Sequence, residues 1–203
     1  LISEQLKTFL LDRALGNPSL ALDPVSEELF KMYISDPNSS TIREAISVLI
    51  AGYDPLYGKH GRDAIDPVNG KSKEAKPKSY TGKPTNGSGC FNDYTRSRLE
   101  KDIADGLDLV HSFFIGERVA YVVEFNISAV SPKLEKQIVL NCEQRGFQYV
   151  RSASWTYLDW IHHPSMRIHY IDWKVIDSTP RCINRNMYKS FMGRRMMELT
   201  GDR

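Results

Sequence analysis

Residues 61–78 read GRDAIDPVNGKSKEAKPK, and the rest of the chain is organised around them. Asn69-Gly70 is a strong two-residue hairpin signal, because both central positions of a type I′ turn need φ > 0. With that turn, Val68 pairs with Lys71, Ile65 faces Glu74, and Asp63 faces Lys76. Directly opposed residues of an antiparallel pair point to the same face. The register therefore predicts that Asp63, Glu74 and Lys76 converge while Asp66 points to the other face. Pro67 falls at a position where its missing N–H costs little on an open edge.

Two carboxylates and an amine on one rigid hairpin suit metal-dependent phosphodiester chemistry. Asp63 and Glu74 offer hard oxygen ligands for Mg²⁺, an ion that usually takes only one or two protein carboxylates and keeps several waters. The carbonyl of Ala75 is a candidate further ligand. Lys76, on the same face, is placed to orient an attacking water or to steady charge developing on a phosphate. Glu44 is a candidate additional acid, although the capping box Thr41-x-x-Glu44 accounts for it structurally. Asp54 reads as a turn residue.

The flanking sequence supplies a scaffold. Residues 1–15 repeat apolar side chains at helical spacing, and Gly16-Asn17-Pro18 stops them. Asp23-Pro24 opens a second helix as N-cap and first residue, and Asp36-Pro37 ends it. A third helix starts near Thr41, so residues 1–52 form a helical N-terminal part. Residues 79–89, SYTGKPTNGSG, read as a flexible loop beside the hairpin. A helix is expected from Asn92 or Asp93 to about Asp105. Strands follow over residues 107–114 and 118–127, the second with the continuous apolar run typical of a central strand. Ser131-Pro132 starts another helix that Gly146 stops, residues 147–155 and 166–176 read as strands, and a basic helix closes the chain from about Asn184. Helices, then a hairpin, then strands alternating with helices predict an α/β (mixed α+β) domain: one central mixed β-sheet flanked by helices, spanning residues 1–203 without a break.

Composition narrows the class. The chain has 203 residues, 41% hydrophobic and 26% charged, with a net charge of +2 and a pI near 8.4, as expected of an ordinary globular protein. Cys90, Cys142 and Cys182 show no CxxC spacing, which fits a reducing compartment without structural zinc. No apolar run approaches 18 residues and no signal peptide is visible, which points to a cytoplasmic protein without a membrane partner. Leu1 is not Met, which fits a chain numbered from inside a longer product or from its first ordered residue. His162, His163 and His169 lack the spacing of a metal site. Trp155, Tyr157, Trp160 and Trp173 read as core or interface.

Asp63 followed by Glu74-Ala75-Lys76 resembles the signature of the PD-(D/E)xK nuclease superfamily, here GRD…EAK, and looks most like a type II restriction endonuclease. The stretch GSGCFNDYT (residues 87–95) and the strand ending VVEF at Phe125 add to the likeness. Where the family usually has Pro before the first Asp, this chain has Arg62. The resemblance implies a restriction-endonuclease-like sheet, Mg²⁺ as cofactor, double-stranded DNA as substrate, and a homodimer matching a palindromic site. Basic residues then become candidate DNA contacts. They are Lys73 and Lys78 on the hairpin, Lys83 and Asn86 in the loop, Arg96 and Arg98 at the next helix, and Arg181 and Arg185 at the last one. Basic residues of the last helix run on to Arg195 and Arg203. Alternatives are a structure-specific nuclease that cuts branched or damaged DNA, and a non-catalytic DNA-binding protein of the same fold.

Overall fold

A computed structural model describes residues 2–17, 20–36, 40–56 and 61–200, with side chains of the last helix to Arg194. Pro18, Pro37, Asp202 and Arg203 lie outside the described residues, as does the side chain of Arg195.

Three helices come first: α1 (Glu4–Leu15), α2 (Pro24–Ser35) and α3 (Thr41–Ile50). Their ends follow the sequence closely. Ser3 and Asp23 cap α1 and α2 through their side chains, Pro24 opens α2, and Gly16 takes φ +77° to end α1. The cap of α3 differs. Its N-cap is Ser40, no side chain caps a backbone N–H, and the Ser40 hydroxyl donates to the Glu44 carboxylate. The expected capping box from Thr41 is therefore not made.

The strands are β1 (Asp54–Pro55), β2 (Ala64–Ile65), β3 (Ser72–Ser79), β4 (Gly89–Tyr94), β5 (Asp108–Ile115), β6 (Arg118–Asn126), β7 (Val150–Trp155) and β8 (Arg167–Ile171). Six form one mixed sheet in the order β1-β2-β3-β5-β6-β8, with β3 parallel to β5 and every other pair antiparallel. Asp54, expected in a turn, instead pairs with Ile65 at the sheet edge. β4 and β7 form a separate two-stranded ribbon. The remaining helices are α4 (Arg96–Ala104), α5 (Ser131–Ile138), α6 (Tyr157–Trp160), α7 (Trp173–Ser178) and α8 (Arg185–Thr200). The molecule is thus mixed α/β, with a central mixed sheet flanked by helices.

Strand alternation builds two cores on this sheet. Ala75, Val110, Phe114 and Val122 face the layer of α1–α3, against Ala45, Ile46 and Val48. Leu109, Phe113, Tyr121, Val123 and Phe125 face the other way, against the β4–β7 ribbon, Leu134 of α5, Trp160 of α6 and Phe191 of α8.

Three elements depart from the sequence expectation. Residues 89–94 are strand, so the helix expected from Asn92 or Asp93 waits for Thr95, whose side chain caps it. The strand expected over residues 166–176 ends at Ile171, because Asp172 accepts from the backbone N–H of Val175 and starts α7. α5 widens into a π-helix over Val139–Gln144 before Gly146.

The loop between β3 and β4 is fastened rather than loose. Thr85 pairs with Ile183 in a parallel bridge, Asn86 accepts from the Tyr157 backbone, and the Trp160 indole donates to Gly87 at 2.9 Å. Gly87 has φ +60°, and a Cβ there would lie 2.7 Å from the Trp160 ring and 2.9 Å from Tyr157 Cβ. Gly87→Ala is therefore expected to cost about 1–3 kcal/mol, the range for overpacking. The loss is read by chemical denaturation, with faster proteolysis near residue 87 as the local sign.

Candidate active site

The hairpin forms with a turn longer than the two residues expected. Asp66 and Lys71 close it, the Gly70 N–H donates to the Asp66 carbonyl at 2.9 Å, and Gly70 alone of the turn pair takes positive φ. Asn69 is not in the left-handed region, so no type I′ turn exists. Asp66-Pro67 outcompetes it. The Asp66 side chain accepts from the Val68 N–H at 2.9 Å, an Asx turn beside a residue whose φ is already fixed. Ile65 consequently faces Ser72 rather than Glu74. The displacement is two residues, and side chains alternate with a period of two, so the predicted faces survive.

Asp63 ends up beside Glu74. Its Oδ2 accepts the Ala75 N–H at 2.7 Å, at the mouth of the β2–β3 ladder. Glu74 is 7% exposed and accepts from Lys76 Nζ at 2.7 Å through Oε1. Its other oxygen, Oε2, is buried without a hydrogen-bond partner. Burial raises the Asp63 carboxyl first, and the nearby Glu74 charge raises it further, to about 6 despite Lys76 and the Ala75 N–H. Glu44, on α3 above β3, adds a smaller push in the same direction. Asp66 faces away, toward a cavity lined by Lys71, Lys73, Asp108 and Glu124.

Around this triad lies a shell that the sequence did not reveal. Phe91 of β4 lies under Lys76, whose Nζ is 5.1 Å from the ring centroid, and Arg98 Cζ lies 6.0 Å from the same ring. His111, fully buried on β5, meets the Lys76 carbonyl through Nδ1 at 2.8 Å. Burial lowers its pKa to about 4, so the ring is neutral at physiological pH. Arg62 donates to the buried Asp102 at 2.7 Å, and its second arm stands 3.7 Å from Glu74 Oε2.

The candidate DNA contacts divide. Lys78 is exposed on the same face of β3 as Glu74 and Lys76. Lys83 and Asn86 are exposed in the fastened loop, and the Thr85–Ile183 bridge brings them next to exposed Arg181 and Arg185. One expectation fails. Lys73 is 3% exposed, held between Asp108 at 2.9 Å and Glu124 at 2.8 Å. Alternation demands this, since Lys73 precedes Glu74 and must point to the opposite face. Arg96 is partly exposed and ion-paired with Glu135 and Glu143. Arg98 reaches Asp102 at 3.2 Å and stays beside Lys76.

Among the described residues, no group of three or more His, Cys, Asp or Glu side chains is gathered to hold a metal. The pair Asp63 and Glu74 still fits Mg²⁺, because one or two carboxylates are what that ion commonly takes and Glu74 Oε2 lacks a hydrogen-bond partner. Among the described residues, no helix is long and apolar enough to cross a membrane. Compared with known proteins, the chain matches no family model and no curated sequence.

Proposed function

We propose that the protein is a Mg²⁺-dependent endonuclease of the PD-(D/E)xK type that hydrolyses double-stranded DNA at a short specific sequence. The observation that carries the reading is the crowding of Asp63 and Glu74 beside Lys76. Two acids held together in a partly buried site repel each other, and a cation between them relieves that cost. The arrangement of β2, β3 and the parallel β5 around these residues supports a restriction-endonuclease-like core.

Asp63 and Glu74, with the Ala75 carbonyl, would hold the ion. When bound, it supplies charge neutralisation at phosphorus and hydroxide near neutral pH. Lys76 donates to Glu74 and points along the same face, placed to orient the attacking water. Phe91 shields that ammonium from below. Exposed Lys78, Lys83, Arg181 and Arg185 form a basic surface suited to phosphates, with Asn86 among them. A homodimer would present two such sites to a palindrome.

The test is incubation of unmethylated plasmid with Mg²⁺, followed by sequencing of the ends. Discrete fragments with constant ends are expected, and Glu74→Ala or Lys76→Ala should lower the rate at least 100-fold while leaving salt-sensitive DNA binding without Mg²⁺ intact. Cutting confined to branched substrates would favour a structure-specific nuclease. Full activity in both variants would refute the site.

A further inference from the structure

We infer that Arg62 is a further catalytic residue, whose free guanidinium arm takes a non-bridging oxygen of the phosphodiester held at Asp63 and Glu74. The inference rests on the nuclease reading and adds to it a residue that stands where the resembling family usually has Pro.

The geometry of the two arms carries it. One arm, Nη2, is fixed: it donates to Asp102 Oδ1 at 2.7 Å and reaches Asp105 at 3.4 Å. Asp102 is wholly buried and is itself oriented by Tyr94 Oη at 2.7 Å and Arg98 Nε at 3.2 Å. The other arm, Nη1, is buried and has no hydrogen-bond partner. It stops 3.7 Å from Glu74 Oε2, which is also buried and also without a partner. The neighbouring ion pairs Arg62–Asp102 and Lys76–Glu74 close to hydrogen-bond contact at 2.7 Å each, and this one does not. Here an orphaned donor and an orphaned acceptor face each other across a gap.

Burying such groups unpaired is costly, so the gap has the form of a site awaiting two partners. Nη1 lacks an acceptor, which a phosphate oxygen supplies. Oε2 lacks a cation, which a divalent metal supplies. A guanidinium suits the first task because its planar fork can keep one arm on Asp102 while the other meets phosphate. The same positive charge beside Glu74 opposes a metal in the absence of phosphate. Arg62 therefore has two measurable effects of opposite sign.

The experiment compares wild type, Arg62→Gln, Arg62→Lys and Glu74→Gln. Ca²⁺ binding is measured by calorimetry without DNA, and single-turnover cleavage is measured with Mg²⁺ and saturating plasmid. Arg62→Gln is expected to bind Ca²⁺ several-fold tighter, because a competing charge is gone, yet to cleave about 100-fold more slowly, the usual loss for one donor to a developing anion. Arg62→Lys keeps the charge but cannot serve Asp102 and phosphate together, so it should bind Ca²⁺ as wild type does and still cleave at least 10-fold more slowly. Thermal unfolding checks that each variant is folded, and Arg62→Lys decides alone if Arg62→Gln is not. Cleavage within twofold of wild type in the folded Arg62 variants overturns the inference. So does Ca²⁺ binding that weakens in step with cleavage, which would make Arg62 a support for Glu74. If Glu74→Gln abolishes cleavage while the Arg62 variants are normal, only this inference fails. If Glu74→Gln changes neither measurement, or wild type cleaves nothing, the nuclease reading falls with it.

Discussion

Asp63→Asn should abolish cleavage and, in EDTA at pH 8, make the protein more stable than wild type. The Asp63 carboxyl is raised from 3.8 to about 6 in the folded chain, by burial first and by the Glu74 charge second. A carboxyl raised on folding contributes most where it is protonated. Its contribution is fully present below pH 3.8 and is lost as pH rises through about 6. At pH 8 the wild type therefore folds against a penalty of about two pH units, or about 3 kcal/mol at full weight. Solvent reaching the partly exposed group reduces this to about 1–2 kcal/mol. Asparagine keeps an oxygen for the Ala75 N–H and carries no charge, so the penalty disappears. The excess stability of Asp63→Asn should shrink toward zero as pH falls to 4. Mg²⁺ should raise the melting temperature of wild type and not that of the variant. Its affinity for wild type should weaken below about pH 6, where protons compete for the same oxygens. A variant less stable than wild type at pH 8, or a wild type indifferent to Mg²⁺, would show that Asp63 is a structural acid.

The placement of Asp63 beside Glu74 and Lys76 was legible in part from the sequence. Glu74-x-Lys76 sits on a strand of fixed alternation, so its shared face followed from spacing alone. The pairing of Asp63 with that face depends on the turn, and Asn69-Gly70 is not the pair that opens it. Asn69-Gly70 is a strong local signal, but Asp66-Pro67 starts an equally good turn three residues earlier, and local propensity cannot rank the two. The displacement of two residues kept the parity, which is why the site survived an incorrect register. The β4 strand was hidden for a related reason. Asn92 and Asp93 look like helix caps, whereas Phe91 and Tyr94 are core residues stacked 4.6 Å apart, and only the distant β7 strand makes them a ribbon. The Arg62–Asp102 link was out of reach, because it joins residues 40 apart through a helix whose placement is tertiary.

Glu124 tests the opposite face and the opposite sign. It interrupts the apolar run of β6, where an acid must find partners or leave the core. It finds three: Tyr53 Oη at 2.7 Å, Lys73 Nζ at 2.8 Å and His169 Nε2 at 2.8 Å. Burial would raise its carboxyl, but the hydrogen bonds from His169, Lys73 and Tyr53 outweigh burial and bring it down to about 2. Burial first and Glu124 second push the Tyr53 hydroxyl up to about 12. A carboxyl lowered on folding contributes stability above its ordinary value of 4.5 and loses it as pH falls toward 2. Glu124→Ala should thus cost about 3–5 kcal/mol near neutral pH, because it leaves the Lys73 ammonium buried with Asp108 alone. The deficit should narrow as pH falls from 4.5 toward 2. Replacing both partners, as Lys73→Met with Glu124→Leu, should recover most of the loss, since a buried pair exchanged for apolar side chains is often neutral. Lys73, Asp108 and Glu124 also comprise two acids and a lysine, so the same variants decide between the two faces of β3. Lys73 is already closed onto both carboxylates, while Glu74 Oε2 has no hydrogen-bond partner. The folded Lys73→Met/Glu124→Leu protein should therefore cleave DNA at the wild-type rate. Its failure to do so while folded would move the chemistry from Asp63 and Glu74 to the Glu124 face.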